Sequence, residues 1–404
     1  MASAGFPTIG GPPSRGVPGS RWSAVPVSGL TGLGRFEGAW REALGTAPTQ
    51  HLFLQPEWAV PWFQELGGQP RGLLICEGGR VNAAAVLAAG RLGGVAAGPL
   101  VLRPPGLGVS DYLDLVLPAD LASAKVAVGI LLDWLVETGG WDIFDLPNLP
   151  SESPTAKLLL AAARERRLGS VCQVTFERPF VALDGTWQTY LASRSPKLRY
   201  NLRSRQRRLA ELGRTRFCHY SSPAEVGERL RSAVQIHARR WRGQRTSTTF
   251  SSSRSAFRFY AEAANRMAGR GWLDLSTLEL DGRPVAFCLG FVHDRAYYYY
   301  LPAFDPDFAR YGPSAALLAH LIERAYELDL RELDLMLGDE PYKAQWATGH
   351  RTTCRLVLAA PGARGRAALG LFRGFLTVRE RARRSRRLQN VRRYGIRALL
   401  RGGP

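Results

Sequence analysis

The sequence of 404 residues predicts an α/β fold: two tandem mixed-sheet domains with flanking helices. Three observations predict it. Alternating apolar runs and helical periodicities succeed one another along the whole chain. Their order repeats: "LICEGGRVNAAAVLAA" has the hairpin pattern of "LELDGRPVAFCLGFV", and "WDIFDLPNLPSES" matches "RELDLMLGDEPYK". A chain this long also exceeds one ordinary core, so two domains of roughly 150 to 200 residues are expected.

The elements follow in order. Residues 1–28, rich in Gly, Pro and Ser, read as a flexible leader with no secretory signal. "FLQPEWAVPWFQEL" (53–66) reads as a short amphipathic helix behind a Gln-Pro turn. "GLLICEGGRVNAAAVLAAG" (72–90) reads as two strands joined through Gly78-Gly79, and "SDYLDLVLP" as a further strand. A helix over 122–140 with a Gly stop, a strand at "WDIF" and a new helix complete the first unit. The second unit has a hairpin turning at Asp281-Gly282, a helix over 314–329, the strand "RELDLML" and a helix from Asp339. The expected domains are therefore 29–185 and 186–360, with a basic helical or partly disordered tail over 361–404. Pro147 and Asn148 stand where the second copy has Gly338 and Asp339, and nothing in the first copy corresponds to Lys343. Chemistry is therefore expected in the second copy.

The net charge of +20 is local. Residues 194–216 carry nine Lys and Arg against Glu211 alone, and residues 361–404 carry thirteen Arg against Glu380 alone. Those two segments hold the whole excess, which points to anionic partners at two places. No apolar run approaches the ~18 residues of a membrane span. Five scattered cysteines form no CxxC or Cys/His ligand pair, so no metal site and a cytoplasmic setting are expected. The tail is amphipathic and basic, which suits docking on the inner face of an anionic membrane or, equally, a solvated segment.

Four stretches could carry chemistry. In "AFDPDFARYGPSAALL", Arg310, Tyr311 and Gly312 precede a helix that Ser314 would cap, an arrangement suited to phosphate, although many such helices bind nothing. In "SRSPKLRYNLRSRQRRLAELG", Ser195 caps and Pro196 opens a helix. Its Leu198, Leu202, Leu209 and Leu212 form an apolar stripe, with Lys197 and Arg199, Arg203 and Arg207 elsewhere on its surface; the alternatives are an anion site and a solvated face. In "IHARRWRGQRTSTTF", His237 shares a helix face with Trp241 beside Arg240 and could act as a base, or be structural. In "LDLMLGDEPYKAQW", Asp339, Glu340, Tyr342, Lys343 and Trp346 follow a strand end, where ligands of α/β sheets usually sit, or form a capped helix.

These motifs, in this order and spacing over roughly residues 186–350, resemble the CelD-like acyltransferase domain of the GNAT superfamily, related to the Fem-type aminoacyltransferases. "ARYGPSA" matches the GNAT pyrophosphate loop in part. The resemblance implies a sheet splayed between its fourth and fifth strands, where a thioester donor inserts. It implies that Tyr299 of the Tyr-rich strand, with Arg310, Tyr311, Gly312 and Ser314, holds the pantetheine and pyrophosphate of acyl-CoA or acyl-phosphopantetheine. Asp339 or Glu340 would then be the base, Lys343 would stabilise charge, and Tyr342 and Trp346 would shape the acceptor pocket, with His237 and Arg240 facing it. No covalent nucleophile is needed, and Cys288 and Cys354 are structural. The expected function is acyl transfer to an amine or hydroxyl of a sugar, peptide or other small acceptor, in envelope-polysaccharide or secondary-metabolite synthesis. An acyl carrier protein is an expected partner. The rival donor is aminoacyl-tRNA, bound by the Arg199, Arg203 and Arg207 face. A non-catalytic nucleic-acid binder leaves the carboxylates of "GDEPYK" without a role.

Overall fold

The computed structural model describes residues 15–16, 21–94, 97–242, 249–338 and 340–384. The first half opens with β1 (Arg15–Gly16), β2 (Trp22–Ser28), α1 (Gly29–Thr46) and α2 (Pro56–Glu65). Then come β3 (Pro70–Glu77), β4 (Arg80–Arg91), β5 (Leu100–Arg103), α3 (Leu121–Thr138), β6 (Ile143–Pro150), α4 (Thr155–Glu165) and β7 (Ser170–Ala182). The second half starts with α5 (Trp187–Ser193), α6 (Pro196–Ala210), β8 (Thr215–Tyr220), α7 (Pro223–Arg240) and α8 (Arg254–Gly269). It continues with β9 (Leu273–Leu280), β10 (Arg283–His293), β11 (Ala296–Phe304), α9 (Pro313–Glu327) and β12 (Glu332–Asp334). The last elements are α10 (Pro341–Trp346), β13 (Gly349–Ala359) and α11 (Ala363–Arg384).

All the strands join one sheet in the order β1-β2-β3-β4-β5-β6-β13-β7-β12-β11-β10-β9-β8. From its two ends the order is the same: β2 to β6 on one side, β8 to β12 on the other. The closing strands are exchanged. β7, which follows the first unit, pairs with β12 of the second, and β13 returns to pair with β6. β7 and β13 then pair antiparallel from Ser170↔Leu358 to Gly349↔Phe180, the longest junction between the halves. A shared core adds to it. Trp58 of α2 stands edge-on to Phe259, Phe291 and Tyr300 at 5.0, 6.0 and 5.3 Å between ring centroids. Rings of this kind each remove about 150–250 Å² from water, so the halves stabilise each other.

Both hairpins form as local chemistry requires, with Gly78 and Gly79 at φ 57° and 83°, and Asp281 and Gly282 at φ 49° and 80°. Ser195 accepts from the Leu198 N–H at 3.2 Å and Pro196 opens α6; Leu198, Leu202 and Leu209 are buried, whereas Leu212 lies past its end, 40% exposed. Several expectations need correcting. Trp22–Ser28, assigned to the leader, is strand β2, held by β3 from Trp22↔Glu77 to Ser28↔Arg71. "SDYLDLVLP" is extended loop rather than strand, tied to the sheet by the bridge Ala84↔Val116 and by the Leu113 N–H, which donates to Asn148 O of β6 at 3.3 Å. The tail begins as α11, whose Ala368, Leu369 and Phe372 pack on Val101, Ile143 and Val357. That apolar face is occupied by the protein itself. Residues 385–404 lie outside the described residues. Among the described residues no helix is long and apolar enough to cross a membrane.

Candidate active site

The site is made by a failure of pairing. β11 and β12 run parallel through three residue pairs, Ala296↔Glu332, Tyr297↔Leu333 and Tyr298↔Asp334. β12 then stops. Leu335 still donates its N–H to Pro179 O of β7 at 3.0 Å, but Met336 at φ 65° and Gly338 at φ 137° turn the chain away. Residues 299–304 of β11 are left, among the described residues, without a strand on that side, and a wedge opens. The position at Gly338 demands glycine. A Cβ there would lie 2.1 Å from Glu340 Oε2 and 3.0 Å from Lys343 Nζ, in backbone space that L-residues avoid.

One wall of the wedge carries the donor candidates. Gly312, at φ 64° and ψ 47°, is the N-cap of α9; Pro313 opens the helix and no side chain caps it. Ser314 is therefore not the cap. Its hydroxyl instead hydrogen-bonds the buried Tyr299 phenol, whose pKa is driven up by burial and then by Tyr342. Arg310 hydrogen-bonds the Tyr311 hydroxyl and lies 4.6 Å from its ring centroid, so both belong to one surface cluster beside Gly312. A cation missed in the sequence completes the wall: a Cβ on Gly312 would sit 2.6 Å from Arg205 Nε. Arg205 is half-buried on α6, whereas Lys197 and Arg203 are exposed. Arg199 is half-buried, and its Nε has no partner among the described residues.

At the wedge's end, Lys343 has a side chain only 7% exposed, and its Nζ donates to Leu337 O at 2.8 Å and Glu340 Oε2 at 3.0 Å. Glu340 itself is half-exposed. Tyr342 lies at the surface with its phenol end turned inward; burial, then Glu340 and Cys288, push its pKa up. Asp339 lies outside the described residues. Trp346, expected in the acceptor pocket, is a core residue, buried with Leu333 and Leu335, and its carbonyl accepts from Tyr190 Oη at 2.6 Å. Local helical spacing could not distinguish the two roles.

His237 also sits in the core. It is 1% exposed, its Nδ1 is 2.8 Å from Ser251 Oγ, and its ring stands edge-on to Phe250 at 5.3 Å. Burial lowers its pKa to about 4, so it is neutral at pH 7. The helix does bring Arg240 and Trp241 to the wedge: the Arg240 guanidinium lies 4.8 Å from the Phe304 ring at the end of β11 and 5.1 Å from Trp241.

The first half closes the other side through residues that sequence reasoning missed. Tyr112 Oη bonds both oxygens of the buried Asp334 at 2.7 Å, with Arg178 Nη2 at 3.5 Å from Asp334 and its guanidinium 3.9 Å from the Tyr112 ring. Burial raises the Asp334 pKa despite Arg178. Leu337 N–H donates to Asp111 Oδ2 at 3.1 Å, and Tyr300 donates to Val109 O. Asp334 had a signal: a carboxylate between Leu333 and Leu335 needs a buried partner. Its partner lies 222 residues away, beyond any local pattern. Cys288 and Cys354 are buried thiols, and no group of three metal-ligating side chains occurs among the described residues.

Residues 196–344 match the family model described as an acetyltransferase (GNAT) domain. In three dimensions the chain is similar to FemX, with a TM-score of 0.57, 12% identity, and coverage of 79% of this chain and 95% of that one. A conserved protein of unknown function from Bacteroides thetaiotaomicron gives a TM-score of 0.54 at 11% identity, over 81% and 97% of the two chains. The C-terminal domain of a putative lysylphosphatidylglycerol synthetase from Agrobacterium fabrum gives 0.50 at 14%, over 84% and 95%. No match is found among curated protein sequences. Residues 196–344 are thus similar to a GNAT acetyltransferase domain, and the two α/β units around them share one mixed sheet.

Proposed function

We propose, with the GNAT domain at 196–344 as premise, that this protein transfers an acyl group from a thioester of CoA or phosphopantetheine to an amine or hydroxyl. The supporting observation is the wedge, where β11 has no strand beside it on the β12 side over 299–304 among the described residues, and whose flank carries Gly312, Ser314 and Arg205. A pantetheine laid along β11 takes the place of the missing strand. Its phosphates meet the head of α9, where helix dipole and Arg205 favour negative charge.

In this reading the acceptor enters beside Arg240, Trp241 and the Asp111–Tyr112 loop. Its nitrogen or oxygen attacks the acyl carbon; Glu340, or its neighbour Asp339, takes the proton directly or through water. Lys343 and a backbone N–H of β11 stabilise the oxyanion. The C–S bond then breaks and the leaving thiolate takes its proton from water, while the Tyr342 phenol, kept protonated by its raised pKa, donates a hydrogen bond to the sulfur. The acceptor is a sugar, peptide or other small molecule of an envelope-polysaccharide or secondary-metabolite route, and the family is the CelD-like branch.

A second reading, transfer from aminoacyl-tRNA, is favoured by the exposed Lys197, Arg203, Arg207 and Arg208 on α6, of which, among the described residues, only Arg207 meets a carboxylate, Glu211 at 3.8 Å. Thermal unfolding with CoA, short and long acyl-CoA and bulk tRNA separates the two. A ligand at 100 times its Kd adds about 2.7 kcal/mol, a Tm shift of roughly 5 to 10 °C. A salt-insensitive shift with CoA or acyl-CoA supports the thioester donor. A shift with tRNA alone that vanishes as salt rises supports the rival.

A further inference from the structure

Beyond Gly312, α6 and α9 pack side by side through Leu198, Leu202 and Leu209. About 12 Å along α9 from Gly312, at 1.5 Å per residue, a cavity of about 500 Å³ opens at His320. That volume falls within the usual range of small-molecule sites, about 300–1,000 Å³. Trp187 and Leu191 of α5 and Phe217 of β8 give it flat apolar walls, and Arg199 and Arg203 of α6 supply positive charge. Arg199 Nε is shielded from solvent without a partner among the described residues, a guanidinium that an anion would complete.

His320 is held in one tautomer. His219 Nδ1 lies 3.2 Å from Asp274 Oδ1 and 2.8 Å from Ser276 Oγ, and Arg324 Nε donates to Asp274 Oδ2 at 3.1 Å. The carboxylate keeps the His219 proton on Nδ1, so His219 Nε2 is an acceptor and receives the His320 Nε2–H at 3.0 Å. The His320 ring stacks on Phe217 with centroids 4.0 Å apart. Burial, then His219 and Arg324, lowers its pKa to about 4, so the ring is neutral and Nδ1 remains a lone-pair acceptor. Glu323 stands on the same wall. Cations for a phosphate, flat rings for a planar base and an acceptor for an amine together describe a nucleotide.

We propose that this cavity receives the nucleotide end of a CoA donor, with the 3′-phosphate at Arg199 and Arg203 and the adenine between Trp187 and His320. The inference rests on the thioester reading and narrows it, because a carrier-borne phosphopantetheine has no nucleotide.

Titration calorimetry of the full chain with CoA, 3′-dephospho-CoA and 4′-phosphopantetheine tests it. The expected result is CoA binding at least tenfold tighter than dephospho-CoA. The double variant Arg199→Gln/Arg203→Gln should bring CoA down to the dephospho-CoA affinity and leave dephospho-CoA binding unchanged, which also reports an intact fold. Trp187→Ala should weaken CoA and dephospho-CoA together while sparing phosphopantetheine. Equal binding of CoA and dephospho-CoA by the native chain overturns the inference and leaves the thioester reading standing, as does discrimination that survives the double variant. Binding of none of the three overturns both.

Discussion

Arg205 of α6 lies across Gly312 at the head of α9, so close that a Cβ on the glycine would reach within 2.6 Å of its Nε and 2.7 Å of its Cδ. The contact joins a strongly basic helix to a helix N-terminus that no side chain caps. Gly312 thus has two reasons to be glycine: its φ of 64° and the guanidinium above it.

Gly312→Ala should therefore lower unfolding free energy by about 1–2 kcal/mol and raise KM for acyl-CoA. Arg205→Gln should leave stability within about 0.5 kcal/mol and still raise that KM, the more so at low salt. Steady-state kinetics beside urea unfolding would separate the two effects. An unchanged KM in Arg205→Gln would remove this cation from the donor site.

Lys343 and Glu340 are expected to act on turnover. Glu340→Gln should cut kcat by about 10²-fold or more if this carboxylate is the base, and Lys343→Met by about 10²-fold through loss of charge stabilisation. Lys343→Met also strands the carbonyl of Leu337, so its Tm should fall while that of Glu340→Gln does not. A kcat within threefold of native in both variants would exclude this turn from the chemistry.

Tyr112→Phe tests how the halves are joined. The hydroxyl bonds both oxygens of a buried carboxylate 222 residues away, a contact to a charged group worth about 1.5–3 kcal/mol. Urea unfolding should show that loss in a single transition, because the core is shared. Native stability in the variant would mean that Arg178 and the Met336 N–H, which donates to Oδ1 at 2.7 Å, satisfy Asp334 without it.

Acid should destabilise the protein through buried histidines. Burial lowers His51 to about 3, and His237 and His320 to about 4, from 6.5. The unfolded chain therefore binds protons first as pH falls, so this stability is complete above about pH 6.5 and is lost toward pH 4. Both ring nitrogens of His51 are buried without partners among the described residues. His51→Leu should raise stability by about 1–2 kcal/mol and flatten the decline in Tm between pH 7 and 5. An equally steep decline would show that His51 does not drive it.

Local features were legible in the sequence because their causes are local. Gly78-Gly79 and Asp281-Gly282 fix hairpins through positive φ, Ser195-Pro196 opens α6, and the apolar period of 313–327 makes α9. The candidate site was legible only in part: Lys343 and Glu340 meet within one turn of chain, so their spacing predicts their contact. His237 and Trp346 have the same spacing signal as surface residues, and only packing put them in the core.

The sequence by itself determined two α/β units, the turn after β12 that carries Glu340 and Lys343, and the basic helix α6. Tertiary structure decided which unit each closing strand completes, for β7 and β13 carry similar alternation and either could pair with β6 or β12. It also decided that Arg205 meets Gly312 and that Tyr112 meets Asp334. Side-chain period specifies the face a residue occupies but not the distant surface that covers it, and these contacts depend on that surface.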